Sequence, residues 1–276
     1  MSTKFYHYTS IDTLYNMLEK SIEKDKDTSI DYLKLWATNI DYMNDRTERK
    51  LFTDALKNSV STYAENQGVR LNSEAKAKLE SLCHIDAYII SLSELHDDLN
   101  MWRGYGGNGS GVNIEFDFQN IQAFYKTSTG HFKCEHSYRP VKCKYLFPEE
   151  CSVNGDFIAR VYNFITKEPL ASPKGYEDVR LMREIKDIAT ITKHNAYRSE
   201  QEWRFVLSPE SIPKTIFSNG IFKPYREFKV PLNAISAVTI GPCIESDYAT
   251  ESFKRYIKTK LNSETQIKVS EIPYRG

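Results

Sequence analysis

The sequence predicts a single α+β domain built on a mainly antiparallel, split sheet. Its apolar pattern changes repeatedly between alternation and helical spacing, without the regular strand–helix–strand order of a parallel sheet. The 276 residues, 40% of them hydrophobic, are enough for one large domain or two small ones. No repeat or low-complexity linker divides them. We therefore expect one domain over residues 1–276, with a helical insert at about 152–195.

Each element follows from its local pattern. Alternating or continuous apolar runs predict strands at residues 5–9, 32–37, 87–93, 112–116, 141–147, 203–207, 227–230, 234–240 and 267–272. Helical spacing predicts helices at residues 11–20, 73–82, 97–105, 157–166, 176–191 and 246–261. Ser10 can cap the first of these, and Asn44 or Asp45 can cap a further helix that ends at Gly68.

Bulk composition excludes several classes of protein. Lys and Arg number 37 and Asp and Glu also number 37, so a globally basic nucleic-acid binder is not indicated. The N-terminal residues have no apolar signal-peptide core, and no apolar run approaches the roughly 18 residues of a membrane span. Five scattered cysteines do not form a disulfide pattern. We expect a soluble, cytoplasmic protein with reduced thiols and no membrane partner.

Three short segments combine polar, chemically capable side chains with large aromatic ones: residues 5–10, 101–105 and 200–205. In the first, His7 and Thr9 point to one face of a strand and Tyr8 to the other. A neutral imidazole beside a hydroxyl can hold a ribose diol or a phosphate, and the N-terminus of the helix that follows favours anions. A histidine satisfied within a polar strand is the alternative.

The late segment separates charge from aromatics. Glu200, Glu202 and Arg204 share one face of a strand, and the other face carries Trp203, Phe205 and Leu207. The aromatic face is expected in the core, so the charged face looks into solvent or into a cleft. In a cleft, a carboxylate would stabilise a sugar as it becomes cationic during bond cleavage.

The middle segment offers a stacking surface. Trp102 and Tyr105 lie three residues apart, on one side of a helical turn, where they can stack on an aromatic base or nicotinamide. Aromatics at this spacing are also common in protein cores. The glycines that follow precede a strand, so they do not form a dinucleotide-binding loop, which follows a strand and opens a helix.

Metal-binding patterns are weak. Cys134, His136, Cys143 and Cys151 match no standard structural zinc spacing. A helix cap and a first-turn acid explain Asn44, Asp45 and Glu48. We therefore expect no bound metal, although a metal-dependent nuclease using Asp45, Glu48 and Glu200 is kept as a third functional hypothesis.

Ordered motifs along almost the whole chain resemble the bacterial DUF2971 family, a domain of unknown function. They occupy residues 6–10, 35–38, 43–48, 91–94, 101–105, 111–116, 200–204 and 240–242. The resemblance gives the chain a family but no chemistry.

Residues 5–14 also resemble the first strand and helix of ADP-ribosyltransferases, particularly the DarT type that modifies DNA. The resemblance implies an ADP-ribosyltransferase-like fold with NAD as substrate. In that superfamily a first-motif histidine contacts the NAD ribose, a middle aromatic stacks on nicotinamide, and a late glutamate is catalytic. His7, then Tyr105 or Trp102, and then Glu202 fall in that order here. We therefore predict that NAD is bound by His7, Tyr8, Thr9, Trp102, Tyr105 and Arg204, and that the catalytic residues are Glu202 and Glu200. In this prediction His7 and Thr9 hold the adenosine-side ribose, and Glu200 or Arg204 orients the acceptor or a phosphate.

Our functional hypothesis is an NAD-dependent ADP-ribosyltransferase or NAD glycosidase that acts as a bacterial toxin or antiphage effector. Its acceptor is left open between nucleic acid, protein and water. The alternative is a non-enzymatic domain of a defence system that binds a nucleotide or a phage product through the same cleft.

Overall fold

A computed structural model describes residues 4–26, 28–43, 45, 47, 49–128, 139–167, 175–207, 212–218, 220–244, 246–261 and 263–275. Its helices are α1 (Ile11–Lys20), α2 (Lys50–Asn66), α3 (Ser73–Cys83), α4 (Leu99–Tyr105), α5 (Phe118–Ser128), α6 (Gly155–Thr166), α7 (Tyr176–Ile191) and α8 (Asp247–Lys260). Its strands are β1 (Lys4–Thr9), β2 (Glu23–Lys24), β3 (Asp31–Asn39), β4 (Tyr88–Ser93), β5 (Val112–Asp117), β6 (Val141–Lys142), β7 (Lys144–Leu146), β8 (Thr192–His194), β9 (Glu202–Leu207), β10 (Lys214–Ser218), β11 (Ile221–Pro231), β12 (Ile235–Ile240) and β13 (Gln266–Val269).

One large, mainly antiparallel sheet organises the molecule and confirms the predicted α+β class. Its main path runs β10-β11-β3-β4-β1-β5-β12-β13, and β9 pairs with β4 and β6 beside this path. The pairing of β12 with β13 is parallel, as is the small separate pair β7–β8.

The sheet splits at β4. One edge of β4 pairs with β9 along its whole length, from Tyr88 to Ser93. The other edge pairs with β3 only at Tyr88 and Ile89, and with β1 only at Ser93. Strands β1 and β3 therefore separate from one another along the middle of β4, and this separation opens a cleft.

Two cores lie on the two faces of the sheet. Alternate β4 residues Tyr88, Ile90 and Leu92 join the core formed with α1, α5 and α8, whereas Ile89 joins the other. The second core is built from α2, α3, α6 and α7. The helices predicted as an insert thus pack against α2 and α3. Among the described residues, no helix is long and apolar enough to cross a membrane.

Several local predictions are wrong for identifiable reasons. Helix α2 begins at Lys50, because Arg49 has a left-handed φ of 57° and Asp45 accepts hydrogen bonds from Thr47 instead of capping the helix. The strand predicted at 141–147 is broken at Cys143, whose N–H donates to the Glu202 carbonyl oxygen. Helix α5 and strands β8 and β10 were not predicted. Asn44, the other candidate cap, lies outside the described residues.

Candidate functional site

Two adjoining cavities follow the split in the sheet. The wide cavity, of about 810 Å³, lies between α1, β3 and β11. The narrow cavity, of about 100 Å³, lies between β1, α4, β8 and the start of β9. Both are lined by His7, Met43, Ser91 and Tyr105. The two cavities therefore adjoin one another, and the wide one has a volume typical of small-molecule sites.

His7 presents a hydrogen-bond acceptor to this cleft. Its Nδ1 lies 3.1 Å from the carbonyl oxygen of Ser91, on the stretch of β4 that β1 leaves unpaired. Burial lowers the pKa of His7, so the ring is neutral at pH 7. A carbonyl oxygen can only accept, so Nδ1 carries the proton and Nε2 has a free lone pair. Nε2 can therefore accept a hydrogen bond from a ligand hydroxyl.

A buried ion cluster forms the floor of the narrow cavity. Glu202, only 3% exposed, accepts from Arg204 Nε at 2.8 Å and from Lys193 Nζ at 2.7 Å. The Arg204 guanidinium is fully buried and also donates to the Thr190 carbonyl oxygen at 2.7 Å. Ser91 and Ser93 lie opposite Arg204 and Glu202 on β4, and their small side chains leave room for the two long ones.

Glu200 connects the ion cluster to the cleft. Its Oε2 accepts from Lys193 Nζ at 2.6 Å, and its Oε1 accepts from the Tyr105 hydroxyl at 2.7 Å. Burial, followed by the nearby Glu200 carboxylate, raises the pKa of Tyr105, which stays protonated. Glu200 is more exposed than Glu202, with 14% against 4% of the side chain accessible. Of the two predicted catalytic carboxylates, Glu200 is therefore the more accessible.

The ion cluster makes the free energy of unfolding depend on pH. Burial alone would raise the pKa of Glu202, but the charges of Arg204 and Lys193 outweigh it and hold that pKa at about 2. A depressed pKa stabilises the fold above the unfolded-state value near 4.5, by about 3 kcal/mol, and this stability is lost as pH falls towards 2. Urea unfolding at a series of pH values should therefore show that the free energy of unfolding falls less between pH 4.5 and 2 for Glu202→Gln than for wild type. Equal slopes would contradict the ion-paired assignment.

Four of the predicted ligand-binding residues have structural contacts instead. Arg204 lines neither of these two cavities, since its guanidinium is held by Glu202 and Thr190, so it is not placed to orient an acceptor or a phosphate there. Trp102 is fully buried and donates to Asp97, so it is not the stacking aromatic.

Tyr8 and Thr9 differ from the prediction in the same way. Tyr8 touches the narrow cavity, but its ring packs edge-on against Trp102 and its hydroxyl bonds to Leu95 and Asp98. Thr9 is buried and lines neither cavity. Of the candidate aromatics, Tyr105 alone keeps an accessible position on both cavities.

The predicted alternation along β9 is present, but its environment is different. Phe205 is buried in the core, as expected, whereas Trp203 and Leu207 are only half-buried. Glu202 and Arg204 were expected to face solvent or an open cleft, and both are buried because they neutralise one another.

His7 lies on the opposite face of β1 from its neighbour Tyr6. Tyr6 pairs with Ser93, which lies opposite Glu202 on β9. His7 therefore reaches the narrow cavity through the gap between β1 and β4 rather than across one face of the sheet.

The comparison with known families concerns the middle of this site. Residues 101–205 match the model of a family described as "Protein of unknown function (DUF2971)". This match confirms the resemblance seen in the motifs at 101–105, 111–116 and 200–204. The matched segment supplies Tyr105, Lys193, Glu200 and Glu202 to the narrow cavity. No curated protein and no solved structure matches the chain.

Sequence reasoning missed the residues that give the wide cavity its character. Trp36 and Tyr225 stack there, with ring centroids 4.6 Å apart. Lys20 and Lys223 also line it, and neither forms an ion pair with another described residue. The signal for Trp36 was available, because it falls on the polar face of β3 between Lys34 and Thr38. The lysines carried no local signal.

The residues of the metal hypotheses do not assemble into a site within the described chain. Asp45 and Glu200 line the narrow cavity, but Glu48, Cys134 and His136 lie outside the described residues. Over the ranges that the structure describes, no three metal-ligating side chains converge.

Proposed function

We propose that the protein is an NAD-dependent ADP-ribosyltransferase or NAD glycosidase with an ADP-ribosyltransferase-like fold, acting as a bacterial toxin or antiphage effector. The proposal combines the resemblance of residues 5–14 to the DarT type with the character of the cleft. The observation that carries it is a pair of adjoining cavities that differ in chemistry. Lys20 and Lys223, which form no ion pair with a described residue, line the wide cavity, and three carboxylates, of Asp45, Glu200 and Glu202, line the narrow one.

The groups that line the two cavities are of the kinds that the parts of NAD require. Lys20 and Lys223 would contact the phosphates, and the Trp36–Tyr225 pair offers a stacking surface for the adenine base. His7 Nε2, at the junction of the two cavities, can accept from a ribose hydroxyl. Tyr105 then flanks the nicotinamide end.

The carboxylates act where positive charge develops. As the bond between ribose C1′ and nicotinamide breaks, both electrons pass to the ring nitrogen and the sugar becomes cationic. Glu200 is held in place by Tyr105 and Lys193 and stabilises that charge, with Glu202 behind it. The acceptor's lone pair forms the new bond to C1′, and its proton passes to Glu200 or to water.

Replacing Glu200 by glutamine tests this role. The substitution keeps the size of the side chain and removes its charge, so nicotinamide release should fall by roughly 10²–10³. The assay uses purified protein, with an acceptor or trigger supplied if one is found. Glu74→Gln is the matched control, since Glu74 pairs with Lys78 on the exposed surface of α3, and the rate of this variant should equal that of wild type.

Two results would contradict the proposal. The first is wild-type protein that neither binds NAD nor releases nicotinamide under any activating condition. The second is a Glu200→Gln variant as active as wild type. Glu202→Gln should also slow the reaction, but it disrupts the ion cluster and will destabilise the fold, so Glu200 gives the cleaner test.

The ion cluster also favours the second candidate, a non-enzymatic nucleotide-binding domain. Lys193 and Arg204 already compensate the charges of Glu200 and Glu202, which leaves less negative charge to act on a sugar. A binding domain would bind NAD or another nucleotide and leave it intact. Mass spectrometry of the ligand after incubation with wild-type protein separates the two candidates.

A further inference from the structure

The segment that follows β13, residues 270–275, is tied to the start of α4, and we call it the strap. Asp97, just before α4, accepts from the Ser270 hydroxyl at 2.8 Å and from the Glu271 N–H at 3.0 Å. The same carboxylate accepts from the indole N–H of Trp102, within α4, at 2.6 Å. Asp97 therefore joins the strap both to the turn before α4 and to the helix itself.

Tyr274 ties the strap to the other end of α4. Its hydroxyl donates to Asn108 Oδ1 at 2.9 Å, and the Arg103 guanidinium lies over its ring, 5.5 Å from the centroid. An added Cβ at Gly109 would lie 3.1 Å from Tyr274 Cδ1, so the ring packs directly against this glycine. The strap thus holds α4 at both ends.

Helix α4 and the strap pack together in a hydrophobic cluster separate from the two cores. Its buried members are Tyr8, Met101 and Trp102, and Ile272 of the strap packs against them. Over the described residues, neither core includes a residue of α4 or of the strap. A unit with few links to the main cores can open locally while those cores stay folded. We therefore expect α4 and the strap to open together without global unfolding.

This unit forms part of the wall of the narrow cavity. Met101 and Tyr105 of α4 line the cavity, and the Tyr105 hydroxyl donates to Glu200 at 2.7 Å. The strap itself lines neither of the two cavities. Any effect of the strap on the site therefore acts through α4.

We propose that the strap is a positioning element of the candidate site, which keeps Tyr105 against Glu200 by holding α4 at both ends. Release of the strap opens the narrow cavity. A ligand that contacts α4 stabilises the docked strap, and by linkage the docked strap strengthens binding of that ligand. The proposal extends the proposed function to its regulation, and it rests on that function only for NAD as the ligand.

Amide hydrogen exchange, followed by NMR without ligand, tests the strap independently of NAD. Ser270→Ala removes the hydroxyl that donates to Asp97 and accepts from the Ile272 N–H. The amides of α4 should then exchange roughly tenfold faster, the factor for one lost hydrogen bond to a charged group. Ser252→Ala, at an exposed position of α8, is the matched control and should leave these rates unchanged, as an equally slow Ser270→Ala variant would not allow.

A core variant separates local opening from global unfolding. Phe205→Ala removes a ring from the main core, to which β5 contributes Ile114. If α4 opens locally, this variant should accelerate exchange in β5 by more than about 100-fold and leave the α4 rates at their wild-type values. Equal acceleration in α4 and β5 would overturn the strap as a separate unit.

The environment of the Tyr105 ring gives a readout that lower stability alone does not change. Tyr274→Ala removes the ring that contacts Arg103 and Gly109, whereas Tyr274→Phe keeps it. In protein with ¹³C-labelled tyrosine, the Tyr105 resonance, assigned with Tyr105→Phe, should shift in Tyr274→Ala and return close to its wild-type position in Tyr274→Phe. Tyr248→Ala, at a residue 85% exposed on α8, should not shift it. An unchanged Tyr105 resonance in Tyr274→Ala would overturn the positioning role.

Addition of NAD distinguishes this proposal from the proposed function. At ten times its Kd, NAD should slow exchange in α4 by about tenfold, because opening of α4 would release the ligand. Saturable NAD binding that leaves α4 exchange unchanged would overturn the regulatory role of the strap and leave the proposed function in place. Strap-dependent exchange in a protein that does not bind NAD would support the strap and contradict the proposed function.

Discussion

Replacing Arg204 by methionine is expected to destabilise the protein by about 3–5 kcal/mol. Methionine retains much of the side-chain volume but makes no ion pair, so Glu202 loses its bidentate partner and the Thr190 carbonyl oxygen loses its donor. Lys193 alone would then compensate the carboxylates of Glu200 and the buried Glu202. Urea unfolding followed by circular dichroism measures the loss.

Arg160→Met is the matched control for this substitution. Arg160 pairs with Glu184 between two exposed side chains, and such a surface pair contributes at most about 1 kcal/mol. If Arg204→Met cost no more than Arg160→Met, the ion cluster would not be a determinant of stability.

Replacing Phe205 by alanine should cost about 3–5 kcal/mol, because it leaves a cavity in the core on the other face of β9. The Phe205 ring is fully buried and packs against Phe228, with centroids 4.7 Å apart, and against Phe118 at 6.2 Å. Phe222→Ala is the control, since that ring is 68% exposed on β11 and should contribute roughly 0.5 kcal/mol. A comparably small loss for Phe205→Ala would contradict the observed burial.

The elements that sequence patterns predicted are those in which local alternation or helical spacing agrees with the final packing. Strand β9 and helix α7 are examples, and α7 spans the predicted residues 176–191. Strand β10 pairs with β11 and is largely exposed, so its residues show no alternation of buried and exposed positions that a sequence pattern could detect. The start of α2 was misplaced because Asp45 has a local turn contact that a sequence pattern does not distinguish from a helix cap.

The candidate site was predictable in its parts but not in its assembly. The segments at 5–10, 101–105 and 200–205 supply His7, Tyr105, Glu200 and Glu202 to the narrow cavity. Lys193 could not be predicted, because nothing in its neighbourhood shows that β8 brings its ammonium group between two glutamates. The same ion pairing explains why Glu202 is buried, which strand alternation alone does not reveal.

We propose that the cleft at the split in the sheet binds NAD, and calorimetric titration of the purified protein with NAD tests this binding most directly. We predict saturable binding below about 1 mM, the upper end of the range usual for enzyme substrates. His7→Ala should weaken this binding, because it removes the acceptor Nε2, whereas His84→Ala, at an exposed position after α3, should leave it unchanged. Folded wild-type protein that shows no NAD binding, or a His7→Ala variant that binds as tightly as wild type, would contradict the account.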